Sequence, residues 1–467
     1  MVTYFPKQIA QKGILLYVLS LALVSILYSN YAIPWYFMLM GFFEVTVFFL
    51  LASKYSLICR RYSSKGFQKR VFWTAFVLRL IWVMFSYLFY ESQTGQPFEY
   101  LARDSIGYHN EAAWLAEEPW QYIWKYLFLN RSGYSDSGYP LYLTTLYKLI
   151  GCGVLPARIM KALLGAFTCV LMYKLTARNV NEPVARMAAI FCVLMPNLYV
   201  YCGEHLKETE MIFLEVAFLE RADYAFRSKK IKFWDVVIPL VLGGSLFLFR
   251  TVLGATAVMS VATWLLFSTK KATSKGRKAR FAVWAVLAVV MLGGSVIMNE
   301  VEGLLQNRTQ NQQMKRIEQT SRGSLWAKYA TGTVMAPMIF VLPFSTMVDT
   351  DQYNQLVVHG GNFVRNFMGV FVLIGLFSAL FTKKNWRDMS LLGSFTVFYL
   401  LIISMTGFAN SERFLLPGLP GLLVFAAYGI SELNAKSFKF VKIWYVIVVL
   451  MQIGWAYFKL GSRGLFG

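Results

Sequence analysis

Leu101-Ala-Arg-Asp-Ser-Ile-Gly-Tyr-His-Asn-Glu-Ala-Ala-Trp114 begins shortly after an apolar run over 71–90. A run of that length is what a membrane crossing needs, roughly 20 apolar residues. Asp104 is therefore expected at a membrane surface, in a loop, with Ser105, Tyr108, His109 and Glu111 around it. Ionisable groups at a membrane edge are costly and tend to be functional.

The remainder of the chain agrees with a membrane setting. Of 467 residues, 57% are hydrophobic, 17% aromatic and only 15% charged. A soluble protein cannot hide that much apolar surface, so the chain reads as an all-α polytopic membrane protein. Candidate spans cover 14–30, 36–52, 71–90, 155–173, 185–202, 207–224, 234–249, 252–268, 281–298, 364–382, 388–406, 414–431 and 441–459. That makes about thirteen transmembrane helices. Lys7 and Lys12 precede the first run, and no small-residue cleavage site follows it, so a retained first span is expected.

The net charge of +22 is not a nucleic-acid footprint. Its basic residues gather in short connectors: Lys54 to Arg70, Lys174 to Arg186, Arg227 to Lys232, Lys270 to Arg280, Lys383 to Arg387 and Lys436 to Lys442. With alternating spans these fall on one side, which the positive-inside rule makes cytoplasmic. The N-terminus is then cytoplasmic, and some of the charge meets anionic lipid head groups. Cys59, Cys152, Cys169, Cys192 and Cys202 lack metal-ligand spacing and read as small packing residues.

The outer side holds two long loops, about 91–153 and 299–363. The first mixes acids with Trp114, Trp120, Tyr122 and Trp124, a composition that suits helices lying on the membrane surface. The second begins with a polar Gln306–Gln319 stretch. It continues into an apolar segment, Val334 to Val348, broken by Pro337 and Pro343. That segment is too short to span and reads as re-entrant or interfacial. Three parts follow: an N-terminal transmembrane hairpin over 1–70, a catalytic membrane core over 71–430 and a last helix over 431–467.

Candidate site residues lie at the outer ends of spans. Asp104 has the chemistry to accept a proton from an acceptor hydroxyl, against the plain reading of a solvated loop acid paired with Arg103. A second cluster, Tyr201-Cys-Gly-Glu-His-Leu-Lys-Glu-Thr-Glu210, puts Glu204, Lys207 and Glu208 on one face at helical spacing, with His205 among them. Arg250 and Arg413 each interrupt an apolar stretch, and a guanidinium fork suits phosphate recognition. Snorkelling to head groups is the simpler account of either arginine alone.

Asp104 with His109, or Glu204 with His205 and Glu208, offers donors to a divalent metal, as does Asp349-Thr-Asp351. None of these spacings is diagnostic, and no metal or other cofactor is expected. His359 reads as structural, and Arg322 as a weaker phosphate candidate. Asn130-Arg-Ser132 and Asn307-Arg-Thr309 match a glycosylation pattern too short to carry weight.

Several motifs, in this order, resemble the GT-C superfamily of integral-membrane glycosyltransferases, most of all the branch of protein O-mannosyltransferases and the aminoarabinose transferase of lipid A. They are Asp104-Ser-Ile-Gly-Tyr-His109, Ser137-Gly-Tyr-Pro140, Pro156-Ala-Arg158, Pro196-Asn-Leu-Tyr-Val-Tyr201, His205-Leu-Lys-Glu208 and Arg413-Phe-Leu-Leu-Pro-Gly-Leu-Pro420. The resemblance covers roughly 71–430. It implies transfer of a sugar from a polyprenyl phosphate or pyrophosphate donor to a lipid, glycan or protein acceptor. The setting it implies is the periplasmic or outer face of a bacterial inner membrane. Carried over, Asp104 is the general base and Glu208 a second acid. Arg413 with Lys207 or Arg250 holds the carrier phosphate, and Arg103, Tyr108, His109, Glu204 and His205 line the substrate site. Among its departures from the pattern, the acidic loop follows the third span, which makes residues 1–70 an added hairpin, and Ser105 stands where a paired acid is expected.

Rival functions are a polymerase or ligase of lipid-pyrophosphate-linked oligosaccharide, a transporter, and a membrane scaffold without chemistry, which leaves the Glu204 to Glu208 cluster unexplained. A transporter predicts internal repeats and polar groups near the midplane. The sequence has no repeat at a fixed period, and its polar clusters sit at the outer edge.

Overall fold

The computed structural model describes residues 2–130, 136–228, 230, 232–268, 338–383, 385–404, 411–463 and 465. Its described residues are built from helices, with no strand among them. In chain order these are α1 (Lys7–Leu27), α2 (Trp35–Ile58), α3 (Ser64–Thr94), α4 (Arg103–Glu117), α5 (Trp120–Lys125), α6 (Gly138–Ile150), α7 (Val154–Asn179), α8 (Glu182–Leu194) and α9 (Pro196–Val200). The second half holds α10 (Glu208–Arg227), α11 (Phe233–Phe249), α12 (Thr251–Phe267), α13 (Tyr353–Val357), α14 (His359–Phe377), α15 (Ser390–Ser404), α16 (Glu412–Leu415), α17 (Leu419–Ser431) and α18 (Ala435–Ser462).

Seven of the helical segments are long and apolar enough to cross a membrane, which makes this a multi-pass membrane protein. Three more, α11, α12 and α15, are apolar but shorter. The expected span over 281–298 lies outside the described residues, as do the Gln-rich stretch, Arg322, Asn307 and the residues after Asn130 in the first glycosylation pattern. The expected span over 185–202 is broken: α8 ends at Leu194, and Pro196 starts a separate short helix, because proline cannot donate to the preceding turn.

Local chemistry sets several helix ends. The Ser63 hydroxyl caps α3 by accepting from the Gly66 N–H, and Gly95 ends the helix at φ 73°, a left-handed conformation that glycine adopts without strain. Asn181 caps α8 through the Val184 N–H, with a proline in the first turn.

Basic connectors converge at one end of the bundle. Arg186 donates to the Cys59 and Tyr62 carbonyls at 2.5 and 2.8 Å. Arg178 pairs with Glu220 and Asp223 at 2.8 and 2.9 Å. Arg227 reaches the Asp388 carbonyl at 2.6 Å. The hairpin α1–α2 packs on the core, with Phe5 against Phe191 and Phe49 against Phe367 at ring separations of 5.5 and 4.9 Å. Helices α14 and α17 approach most closely through Gly375 and Gly429. A Cβ on Gly429 would lie 1.9 Å from the Phe371 carbonyl oxygen, so only glycine permits this crossing.

At the other end, α4 and α6 form a paired layer. Lys148 on α6 donates to the Ala116 and Glu118 carbonyls at 2.8 and 2.7 Å, satisfying the C-terminal end of α4. Trp114 on α4 and Trp120, Tyr122 and Trp124 on α5 remain exposed. The described part of the expected re-entrant segment, 338–348, is largely irregular and buried. Asn366 holds it, donating to the Val341 and Pro343 carbonyls and accepting from the Ser345 N–H. Irregular backbone at membrane depth needs such internal partners.

Candidate active site

Four helix ends meet at one place. Asp104 is the second residue of α4, Glu208 the first of α10, and Arg413 the second of α16. Arg250 stands at the break between α11 and α12, in an extended conformation at φ −166° and ψ 118°. Asp104 therefore belongs to the first turn of a helix and not to a loop. Its placement has a physical reason: a carboxylate in a first turn is favoured by the N-terminal end of the helix dipole. The same argument applies to Glu208.

The side chains form one chain of charge. Arg413 Nη1 donates to Asp104 Oδ2 at 2.5 Å, and Arg413 Nε donates to Glu208 Oε1. Arg250 Nη2 lies 3.7 Å from the same Glu208 oxygen. Arg250 also donates to the Tyr399 hydroxyl at 3.3 Å and stacks over the Phe414 ring at 4.4 Å. Exposure grades along the chain: the Asp104 side chain is 58% exposed, Arg413 21% and Glu208 fully buried. The buried acid fixes the guanidinium, while the open acid faces outward. A second oxygen of Glu208 is buried without a hydrogen-bond partner among the described residues.

The other expected residues divide. Lys207 is the residue before α10, so the 201–207 segment is a bend and not a helical face. Glu204, Lys207 and Glu208 accordingly do not share a face. Lys207 forms an ion pair with Asp136 and donates to the Phe249 carbonyl at 3.1 Å, beside Arg250. Glu204 is buried, and its backbone carbonyl accepts from Lys161 at 2.8 Å. Burial, with Glu99 and Glu208 nearby, holds its carboxyl well above the usual carboxylate range. Arg103 is exposed at the start of α4 and stands outside the charge chain.

Tyr108 packs edge-on against Tyr139 at 5.0 Å, and burial raises its phenol, with Asp136 adding to the effect. His109 and His205 lie beside one another, with ring centroids 5.6 Å apart. The Tyr147 hydroxyl bridges them, 2.8 Å from His109 Nδ1 and 3.1 Å from His205 Nε2. Burial pushes both imidazoles below their ordinary value of 6.5. A hydroxyl between two neutral imidazoles donates to one and accepts from the other, so the two rings carry fixed, complementary tautomers.

No group of three His, Cys, Asp or Glu side chains suited to a metal occurs among the described residues. Asp349 accepts from the Asp351 N–H at 3.1 Å, an ordinary Asx turn. His359 is buried against the Tyr17 hydroxyl at 2.9 Å. The five cysteines are free, and four are buried.

Sequence reasoning missed Asp136 as the partner of Lys207, Tyr147 as the link between the histidines, and Tyr399 as the support of Arg250. Tyr147 lies in a tyrosine-rich segment and Tyr399 in an apolar run, and nothing local distinguishes either.

No protein-family model matches the sequence, and no curated protein matches it significantly. Among solved structures, the chain is similar to ArnT from Cupriavidus metallidurans bound to undecaprenyl phosphate, at 14% identity over 66% of this chain and 52% of that one, with a TM-score of 0.42. It is similar to the Archaeoglobus fulgidus oligosaccharyltransferase tethered with an acceptor peptide, at 13% identity over 76% of this chain and 51% of that one, TM-score 0.43. It is also similar to the arabinofuranosyltransferase AftD from Mycobacteria, at 15% identity over 85% of this chain and 27% of that one, TM-score 0.42. The chain spans about half the length of the first two. At these TM-scores the likeness is one of loose overall shape, and what the site can do is read from its own side chains.

Proposed function

We propose that this protein is a membrane glycosyltransferase that moves a sugar from a polyprenyl-phosphate-linked donor to an acceptor hydroxyl at the outer membrane face. The observation that carries the proposal is the Asp104–Arg413–Glu208–Arg250 chain, which sets an open carboxylate beside a guanidinium at the ends of membrane helices.

In this reading the acceptor oxygen attacks the anomeric carbon as the bond from that carbon to the phosphate oxygen breaks. The electron pair leaves with the lipid phosphate, and the acceptor proton passes to Asp104. The departing charge meets Arg413, with Arg250 and Lys207 behind it. Such fixed cations stabilise developing charge most where water is excluded. Arg413 spends two nitrogens on the two acids, and the rest of its fork remains for a phosphate oxygen. Glu208 keeps the guanidinium oriented and lowers the local net charge, so that the site does not trap the product.

The test is binding and transfer. The protein in lipid nanodiscs should bind undecaprenyl phosphate, and Arg413→Ala should lose that binding. Asp104→Asn should keep binding and lose transfer from lipid-phosphate sugars. A wild-type protein with no affinity for polyprenyl phosphates would end this reading.

A further inference from the structure

We propose that Glu412 is a positioning residue for Arg413, and that the N-terminal hairpin holds Glu412 in place through the first turn of α14. The proposal rests on the reading of Arg413 as the phosphate clamp.

Glu412 and Arg413 are neighbours on α16, the first turn of the continuous helical segment Glu412–Ser431. The N–H groups of a first turn have no partners within the helix, so tertiary bonds help to fix its position. Successive helical side chains point about 100° apart, so one turns outward when the other turns in. Arg413 faces the open acid Asp104. Glu412 is buried, with Oε1 accepting from Asn197 Nδ2 at 2.5 Å and Oε2 accepting from Asn362 Nδ2 at 3.1 Å. Asn197 Nδ2 also donates to Asn362 Oδ1 at 2.9 Å, closing a three-residue ring of bonds.

Asn362 belongs to the first turn of α14, and the hairpin grips that turn from its other side. Glu44 Oε2 on α2 accepts from the Gly361 N–H at 3.0 Å, and the Tyr17 hydroxyl on α1 meets His359 Nε2 at 2.9 Å. A carboxylate at a helix N-terminus is favoured by the dipole. The fit is close on both faces. A Cβ on Gly360 would lie 2.6 Å from Glu44 Oε2, and one on Gly361 would lie 2.6 Å from Asn197 Oδ1. One turn later Arg365 is buried in the field of Glu412, and its guanidinium nitrogens have no hydrogen-bond partner among the described residues.

Two carboxylates and a guanidinium buried in an apolar bundle are poor stabilisers compared with apolar side chains of the same size. Their value is geometric: they set one position for the turn that carries Arg413.

The experiment uses the full chain in nanodiscs, with undecaprenyl phosphate as the probe. Glu412→Gln and Asn197→Asp each break the donor–acceptor match. Each should weaken probe binding by roughly 10–100-fold, the scale of a small displacement of a positioned group. The double variant Asn197→Asp/Glu412→Gln reverses the polarity of that one bond but leaves an acceptor facing Asn362 Oδ1, so it should recover part of the loss. Glu44→Gln should weaken binding in the same direction through the hairpin. Hydrogen exchange over Ser411–Leu416 should quicken in Glu412→Gln, with or without the probe. Single variants that bind as wild type, a double variant weaker than either single, or unchanged exchange over Ser411–Leu416 would each overturn the positioning role. Failure of the wild type to bind the probe would end the lipid-phosphate reading instead, and the exchange measurement would still decide whether Glu412 fixes the turn.

Discussion

Arg413 Nη1 and Asp104 Oδ2 lie 2.5 Å apart although 309 positions separate them in the sequence. This pair closes the site, because it joins α4 to the last third of the chain. It also places the proposed base and the proposed phosphate clamp within reach of one substrate.

Asp104→Asn should reduce transfer by roughly 10²–10⁴-fold, the range lost with a general base. The side chain is more than half exposed, so losing its pair with Arg413 should cost no more than about 1 kcal/mol of stability. Sugar transfer and a thermal melt on the same sample check both halves. A large drop in melting temperature would mean that the lost activity reports misfolding.

Glu208→Gln should behave in the opposite way. Its carboxylate is fully buried between Arg413 and Arg250. Removing one partner of a buried ion pair costs about 3–5 kcal/mol, because the remaining charge is stranded. Thermal unfolding in nanodiscs should show a drop well beyond that of Asp104→Asn.

Low pH should loosen the outer layer. Burial holds His109 and His205 below 6.5, so the folded protein resists protonation while the unfolded chain accepts protons at about that pH. The stability tied to the neutral rings is thus complete above pH 6.5 and falls as the pH drops toward the folded-state values. Melting temperature followed from pH 7.5 to 5 should decline, and His205→Gln should flatten the decline.

Gly429→Ala should destabilise the core without touching the site. The added methyl would meet the Phe371 carbonyl oxygen at 1.9 Å, so α14 and α17 must separate. Overpacking of this kind costs about 1–3 kcal/mol. A lowered melting temperature, with probe affinity of the folded fraction little changed, is the expected result.

Much of the architecture was legible in the residues. Apolar runs long enough to cross a membrane located helices such as α3 and α7, because length and hydropathy are local properties. Basic connectors such as Arg178–Arg186 and Arg227 marked a common end for the same reason, and the structure brings them together. The unusual acids and arginines announced themselves, since ionisable groups inside apolar stretches are rare enough to stand out.

The partners of those groups were not legible. Lys207 is adjacent to Glu208 in sequence, yet it pairs with Asp136, because the chain bends before α10 begins. Glu204, read as sharing a face with Lys207 and Glu208, is buried with its backbone carbonyl accepting from Lys161, and His205 meets Tyr147. Glu412 stands beside Arg413, and only its bonds to Asn197 and Asn362 give it a role.

The sequence alone located α3, the long apolar helix that precedes Asp104, because a run of apolar residues is a property of the chain itself. Only the tertiary structure decided that this acid shares Arg413 with Glu208. Such a pairing depends on where four distant helix ends meet, and that is fixed by the packing of the whole bundle.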